Sequence, residues 1–175
     1  LHEKIEKFIK KRLSKSNIKI IREDKPLGTA GCISLVPKED RELLMVINAD
    51  VISDIDFESI SLFHSEKVND ITVTVAKYSH QIQFGIVNID KNLNFKSLKE
   101  KPILEHFILS GIYCLNNKIC NLVKNEYLDM TSLIEKAHML GSKVGIFPIY
   151  EYWQDVGNKA DFEKVHKSLH KRKYT

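Results

Sequence analysis

The sequence lacks several features that define other classes of protein. No stretch approaches the 18 consecutive apolar residues of a membrane-spanning helix, and the first residues do not form a signal-peptide pattern. The three cysteines are odd in number and lack metal-ligand spacing, which favours reduced thiols in a cytoplasmic protein over a disulfide framework. The basic run at residues 164–173 has no aromatic stacking platform, so we interpret it as a solvated helix end. Neither a membrane nor nucleic acid is predicted as a partner.

Internal repeats, low-complexity tracts and linkers are absent too. At 175 residues, with 43% hydrophobic and 29% charged residues, the chain has the length and composition of one globular domain with a substantial core. We therefore predict a single domain over residues 1–175.

The most informative segment is residues 43–51, an apolar run that ends abruptly in Asn48 and Asp50. Such a run predicts a strand buried on both faces, in a mostly parallel sheet covered by helices. Ligands of open α/β sheets bind beyond the carboxyl ends of the strands, where a carboxylate can hold a divalent metal against phosphate oxygens. The alternative is that Asp50 only begins a turn or caps the next element.

Hydrophobic spacing predicts the remaining elements. Helices are predicted over residues 2–13, after the loop that begins at Pro26, from residue 129 or 131 to 140, and from about residue 158, with a capped helix after residues 53–56. Strands are predicted at residues 18–21, 43–48, 71–76, 84–89, 95–98, 107–115, 144–147 and 149–153. This order, βα-like first and strand-rich later, predicts an α/β domain with a mixed sheet.

Several conspicuous side chains have a structural interpretation. The isolated His64, His106 and His138 are expected on helix surfaces or in loops. Tyr150, Tyr152 and Trp153 are expected to seal an edge of the core rather than bind a base.

Glycine and charge mark further motifs. Two glycines in residues 26–31, between a predicted strand and helix, would let backbone amides approach a ligand. Most Gly-rich turns, however, only reverse the chain and bind no ligand. If Glu100 and Lys101 line a cleft, Glu100 could accept hydrogen bonds from sugar hydroxyls and Lys101 could offset phosphate charge. The alternative is that the two residues form a solvated turn. Ser110 and Gly111 mark another place where the backbone could approach a ligand.

In this order the motifs resemble those of the sugar-phosphate nucleotidyltransferase family, which includes glucose-1-phosphate thymidylyltransferases and mannose-1-phosphate guanylyltransferases. They are PLGTAG at 26–31, VINAD at 46–50, FGIV at 84–87, EKP at 100–102, SGIY at 110–113 and WQDVG at 153–157. The resemblance extends over residues 23–165. It implies a three-layer, Rossmann-like nucleotidyltransferase fold with a mixed, mainly parallel central sheet.

The resemblance also implies a reaction, in which a sugar 1-phosphate attacks the α-phosphate of a nucleoside triphosphate to give a nucleotide sugar and pyrophosphate. Such products are precursors of surface polysaccharides or glycans. The implied cofactor is Mg²⁺, with Asp50 and Asp155 as its ligands and Lys101 as a third catalytic residue. The matching nucleotide-binding residues are Leu27, Gly28, Thr29 and Asn48. The matching sugar-phosphate residues are Gly85, Glu100, Lys101, Ser110 and Gly111.

The sequence departs from the family pattern in three ways. Ala49 stands where the family usually has glycine, and Ser110 where asparagine or threonine is common. The Gly-rich, Arg-containing triphosphate loop and the first strand before it have no counterpart. We therefore expect the chain to lack the N-terminal portion of the domain, which would expose two sheet edges.

Two other functions stay open: a non-catalytic regulatory subunit that binds nucleotide sugars, and a metal-dependent glycosyltransferase, because residues 48–50 loosely mimic an Asp-x-Asp metal motif. No motif fixes the nucleobase, the sugar or the oligomeric state, so a homo-oligomer also stays open.

Overall fold

A computed structural model describes residues 2–13 and 16–172 as a mixed α/β fold. The helices are α1 (His2–Arg12), α2 (Gly28–Gly31), α3 (Phe57–Glu66), α4 (Asn117–Cys120), α5 (Met130–Met139) and α6 (Lys159–Arg172), with 3₁₀ turns at Cys32–Leu35 and Lys38–Asp40. The strands are β1 (Leu43–Ile47), β2 (Val51–Ser53), β3 (Ile71–Gln81), β4 (Ile86–Ile89), β5 (Phe95–Lys99), β6 (Ile103–Asn116), β7 (Val144–Ile149) and β8 (Trp153–Asp155). Among these described residues no helix is long and apolar enough to cross a membrane.

The central sheet has the strand order β1-β6-β3-β7. β3 and β7 are parallel, and both β1 and β3 pair antiparallel with β6. Three of the four strands thus run in one direction, which confirms a mixed sheet, but the interposed β6 makes two of the three pairings antiparallel. Two-stranded sheets, β2 with β8 and β4 with β5, complete the fold.

Both faces of the central sheet are covered by helices. On β6, Tyr113 and Leu115 pack into one apolar cluster with α2, α4 and α5, whereas Ile112 and Cys114 pack into a second cluster with α3. Because alternate strand residues point to opposite faces, these two clusters lie on opposite sides of the sheet. This is the three-layer arrangement expected from the sequence.

Two sequence-based expectations about the strands are wrong. β1 is half-buried rather than buried on both faces, and Leu43 and Ile47 are exposed, because β1 is an edge strand with only β6 beside it. Residues 18–21 are exposed and form no strand, because no neighbouring strand supplies ladder hydrogen bonds. The next residue, Arg22, forms an ion pair with Glu6 of α1. α1 forms as predicted but buries no side chain.

The histidine predictions divide in the same way. His64 is buried, not exposed: its Nδ1 lies 2.9 Å from Thr72 Oγ1, which also accepts a hydrogen bond from Asn69 Nδ2. Burial lowers the pKa of His64, which favours the uncharged ring at neutral pH. His138 is exposed on α5 as predicted, whereas His106 is exposed on strand β6.

Asp70 joins three elements at the amino end of β3. Its carboxylate accepts hydrogen bonds from the backbone N–H of Lys143 at 2.8 Å, from Lys118 Nζ at 3.0 Å and from Asn116 Nδ2 at 2.9 Å. These hydrogen bonds lower the pKa of Asp70 to about 2, and the bond from the Lys143 amide has the largest effect. Because the folded state prefers the ionised carboxylate, Asp70 stabilises the fold at neutral pH, and this contribution is lost as the pH falls from about 4 towards 2.

Replacing Asp70 by asparagine should lower the free energy of unfolding by about 2 kcal/mol at pH 7, because an amide cannot replace an acceptor that serves three donors. Urea unfolding at several pH values measures this difference, which should shrink between pH 4 and pH 2. Glu135→Gln, at an exposed position on α5, is the control and should match the wild type. A difference that stays constant over this range would contradict the assignment.

Candidate active site

The carboxyl ends of β1 and β7 lie at the same edge of the central sheet, and Asn48 and Gly111 meet at this edge. The backbone N–H of Asn48, just after β1, donates to the carbonyl of Gly111 on β6 at 2.8 Å. Gly111 has a φ of +78°, and a Cβ at this position would lie 2.9 Å from Asn48 Nδ2 and 3.0 Å from Val51 Cγ2. Only glycine allows this close approach, so the structure places two predicted site residues in direct contact.

The short sheet of β2 and β8 brings Asp50 and Asp155 together. Val51 pairs with Asp155 in this ladder, and the backbone N–H of Val156 donates to the carbonyl of Asp50 at 2.9 Å. Both aspartates are exposed. Two aspartates that are more than a hundred residues apart in sequence therefore have neighbouring backbones, with Asp50 just before β2 and Asp155 at the end of β8.

The side chains of Asp50 and Asp155 are suitable ligands for Mg²⁺. In the described part of the chain, no group of three or more His, Cys, Asp or Glu side chains could hold a metal ion. Mg²⁺ commonly takes one or two protein carboxylates and fills its other positions with water and substrate phosphate oxygens. Asp50 and Asp155 fit that donor set, and they fit a dedicated all-protein cage poorly.

A second group of predicted residues lies at the open base of the β4–β5 hairpin, where Gly85 precedes β4 and Glu100 follows β5. A Cβ at Gly85 would lie 2.9 Å from Glu100 Oε2, so the Glu100 carboxylate lies over the Gly85 backbone. Lys101 has a φ of +42°, and its carbonyl accepts a hydrogen bond from Gln81 Nε2 at 3.3 Å. The structure brings these three residues together at an exposed turn, which leaves their polar side chains accessible to a ligand.

The two groups are separated by the outer ribbon, which we define as residues 77–81 of β3 and 103–107 of β6. Seven residues of β6 lead from Ile103 to Ser110, a span of up to roughly 24 Å at 3.4 Å per residue. Across the described ranges no hydrogen bond or ion pair joins the two groups. The structure therefore brings the residues of each group close to one another, but the two groups lie apart.

The Gly-rich segment packs against the protein itself. The amides of Ala30 and Gly31 both donate to the carbonyl of Leu128, at 2.9 and 3.0 Å, and Thr29 Oγ1 accepts the amide hydrogen of Met130 at 2.8 Å. A Cβ at Gly31 would lie 2.4 Å from the carbonyl oxygen of Glu126. These glycines are needed for internal packing, so they carry no separate signal for a ligand.

The predicted nucleotide-binding residues in this segment differ in accessibility. Leu27 is buried, Gly28 is half-buried and Thr29 is exposed. Their contact with a nucleotide stays a prediction.

Thr74 and Trp153 were not among the predicted site residues, yet both contact one that was. Trp153 Nε1 donates to the carbonyl of Ser110 at 2.8 Å, and the Ser110 hydroxyl is in hydrogen-bond contact with that of Thr74. A threonine within a buried β-branched strand is the signal that could have identified Thr74. Trp153 packs at the core edge as predicted, whereas Tyr150 does not, since 85% of it is exposed.

Comparison with known proteins adds independent information. A family model described as nucleotidyl transferase matches residues 2–172. The mannose-1-phosphate guanyltransferase of Aspergillus oryzae is 31% identical over 166 residues, which are 88% of this chain and 45% of that protein. Mannose-1-phosphate guanyltransferase beta-A of Xenopus laevis is 26% identical over 170 residues, which are 93% of this chain and 47% of that protein. The chain spans less than half the length of these relatives.

Among solved structures, HddC from Yersinia pseudotuberculosis complexed with GMP-PN superposes with a TM-score of 0.69 and 22% identity, covering 96% of this chain and 74% of that one. At this level of identity, the likeness shows the fold.

Proposed function

Because the chain belongs to the nucleotidyl transferase family, we propose that the protein transfers a nucleotidyl group from a nucleoside triphosphate to a sugar 1-phosphate, releasing pyrophosphate. Family membership confirms the resemblance drawn from the six sequence motifs. The names of the relatives from Aspergillus oryzae and Xenopus laevis support a sugar phosphate as acceptor, and the GMP-PN complex of HddC supports a nucleotide as donor.

The observation that carries the proposal is the β2–β8 ladder, in which Val51 pairs with Asp155 and the backbone of Asp50 accepts the amide hydrogen of Val156. On this proposal the carboxylates of Asp50 and Asp155 would hold Mg²⁺ when the nucleotide is bound. When bound, the ion would neutralise negative charge that develops on the α-phosphate. The two carboxylates would set where that ion lies, and positioning and electrostatics account for most of the rate in phosphoryl-type transfers.

The turn at Gly85, Glu100 and Lys101 holds the sugar phosphate in this proposal. Glu100 accepts hydrogen bonds from sugar hydroxyls, and the absence of a side chain at Gly85 leaves room beside the Glu100 carboxylate. The ammonium group of Lys101 faces the phosphate of the sugar and offsets its charge. The nucleotide is bound, in this proposal, by Leu27, Gly28, Thr29 and Asn48.

The product fits a role in making precursors of surface polysaccharides or glycans. The three cysteines, Cys32, Cys114 and Cys120, are free thiols, which supports a cytoplasmic location for this role.

A pyrophosphate-release assay of the complete gene product tests the proposal. We expect Mg²⁺-dependent release with at least one pair drawn from a panel of nucleoside triphosphates and sugar 1-phosphates, and none when the sugar phosphate is left out. Binding of nucleotide sugars without turnover of any pair would favour the regulatory subunit instead. Transfer or hydrolysis of a nucleotide sugar without pyrophosphate formation would favour the glycosyltransferase.

A further inference from the structure

β6 contains a bulge at Ser110, Gly111 and Ile112. Val73 of β3 pairs with Tyr113 and Val75 pairs with Leu109, so three residues of β6 lie opposite the single residue Thr74. A bulge interrupts the regular ladder and redirects backbone groups of the bulged strand. Here two consecutive carbonyls, those of Ser110 and Gly111, accept hydrogen bonds from residues outside the β3–β6 pair.

The two redirected carbonyls bind the two segments that carry the carboxylates. The carbonyl of Gly111 accepts the amide hydrogen of Asn48 at 2.8 Å, and Asp50 follows two residues later. The carbonyl of Ser110 accepts the indole N–H of Trp153 at 2.8 Å, and Asp155 likewise follows two residues later. Each carboxylate is thus held two residues from an anchor, and the anchors are neighbouring peptide units.

Buried hydroxyls hold the bulge in shape. Ser110 is only 1% exposed, and its hydroxyl donates to the carbonyl of Thr74 at 3.1 Å and contacts the Thr74 hydroxyl. Thr74 Oγ1 in turn donates to the carbonyl of Ile112 at 2.7 Å. The Ser110 hydroxyl is therefore buried and bonded inside the protein.

We propose that the β6 bulge sets the separation of Asp50 and Asp155, with Trp153, Ser110 and Thr74 as positioning residues. This inference rests on the proposed function, since it concerns the metal-binding role assigned there to the two carboxylates. It gives Ser110 a different role from the sugar contact that the family resemblance implies. The side chain of Ser110 shapes the bulge, and its carbonyl anchors Trp153.

Binding of Mn²⁺ alone, followed by the electron paramagnetic resonance signal of the free ion, tests the anchor. Trp153→Phe removes the indole N–H and keeps an aromatic ring, and it should weaken Mn²⁺ binding about tenfold, as loss of groups that orient metal ligands commonly does. Ser53→Ala is the matched control. It removes the hydrogen bond from Ser53 Oγ to the carbonyl of Tyr152, at the other end of the β2–β8 sheet, and should leave Mn²⁺ binding unchanged.

Ser110→Ala, Thr74→Val and the double variant test the bulge without altering Trp153. Each single variant should weaken Mn²⁺ binding, and the double variant should bind it about as weakly as the single ones, because both hydroxyls belong to one bonded pair. If Ser110→Ala instead raises the KM for the sugar 1-phosphate and binds Mn²⁺ like the wild type, the proposal is overturned. These variants also decide the matter if Trp153→Phe does not fold.

Asp50→Asn and Asp155→Asn separate the two proposals. If both variants bind Mn²⁺ as the wild type does, the metal-binding role fails and the inference fails with it. If both lose binding while Trp153→Phe, Ser110→Ala and Thr74→Val retain it, only the positioning role is overturned.

Discussion

Asp50→Asn is expected to lower kcat for nucleotidyl transfer by roughly a thousandfold, because it removes one of the two negative charges proposed to hold the metal ion beside the α-phosphate. The free energy of unfolding should change by less than about 0.5 kcal/mol. In the part of the chain that the structure describes, the exposed Asp50 carboxylate makes no side-chain hydrogen bond that the substitution would break. Activity and stability should therefore separate cleanly at this position.

Pyrophosphate release at saturating substrate and urea unfolding of the same preparation measure the two quantities. Asp155→Asn should behave like Asp50→Asn, and the double variant should lose little more, because residues that act as one unit are not additive. Glu135→Gln is the charge-matched control and should keep wild-type turnover. Full activity of Asp50→Asn, or a loss that follows unfolding, would refute the metal-binding role.

The second large effect concerns stability. Gly31→Ala should lower the free energy of unfolding by about 3 kcal/mol, because overpacking at a tight backbone contact costs this much. The added Cβ would lie 2.4 Å from the carbonyl oxygen of Glu126, which is backbone and cannot move as a flexible side chain can. Denaturant unfolding measures the loss.

Gly157→Ala is the matched control for this prediction. A Cβ at Gly157 would lie 3.6 Å from Asp155 Oδ1, an ordinary contact distance, so stability should be unchanged. If Gly31 served only a bound nucleotide, its substitution would raise the KM for the triphosphate and leave unfolding unaffected. That result would contradict the packing role.

The central part of the fold could be predicted from the sequence. The β-branched run at residues 71–76 is buried as its pattern indicates, because β3 lies between β6 and β7 with helices on both faces. The same reasoning failed for β1, since an apolar run does not tell whether a second strand lies beside it. It also missed the outer ribbon, whose residues 77–81 are exposed and show no clear alternation of apolar and polar side chains.

The site could be predicted only in part. The family motifs predicted Asp50 and Asp155 as metal ligands, which stays a prediction. Their proximity depends on β2 and β8, strands of three residues whose pairing no local pattern reveals. The bulge is equally hidden, because it depends on the register between β3 and β6. Sequence similarity assigned Ser110 to the sugar, whereas its burial beside Thr74 is a property of packing that the residue type does not disclose.

The outer ribbon has a mechanical consequence. It joins the turn of Glu100 and Lys101 to the body of the sheet, so a change in its tilt about a point near Ser110 would displace that turn relative to the sheet. With an arm of up to roughly 24 Å, a tilt of about 10° would move the tip by roughly 4 Å, a displacement on the scale of hinge motions in enzymes that close around a ligand. Small changes in twist could thus alter the distance between the turn and the paired aspartates while leaving each group internally unchanged.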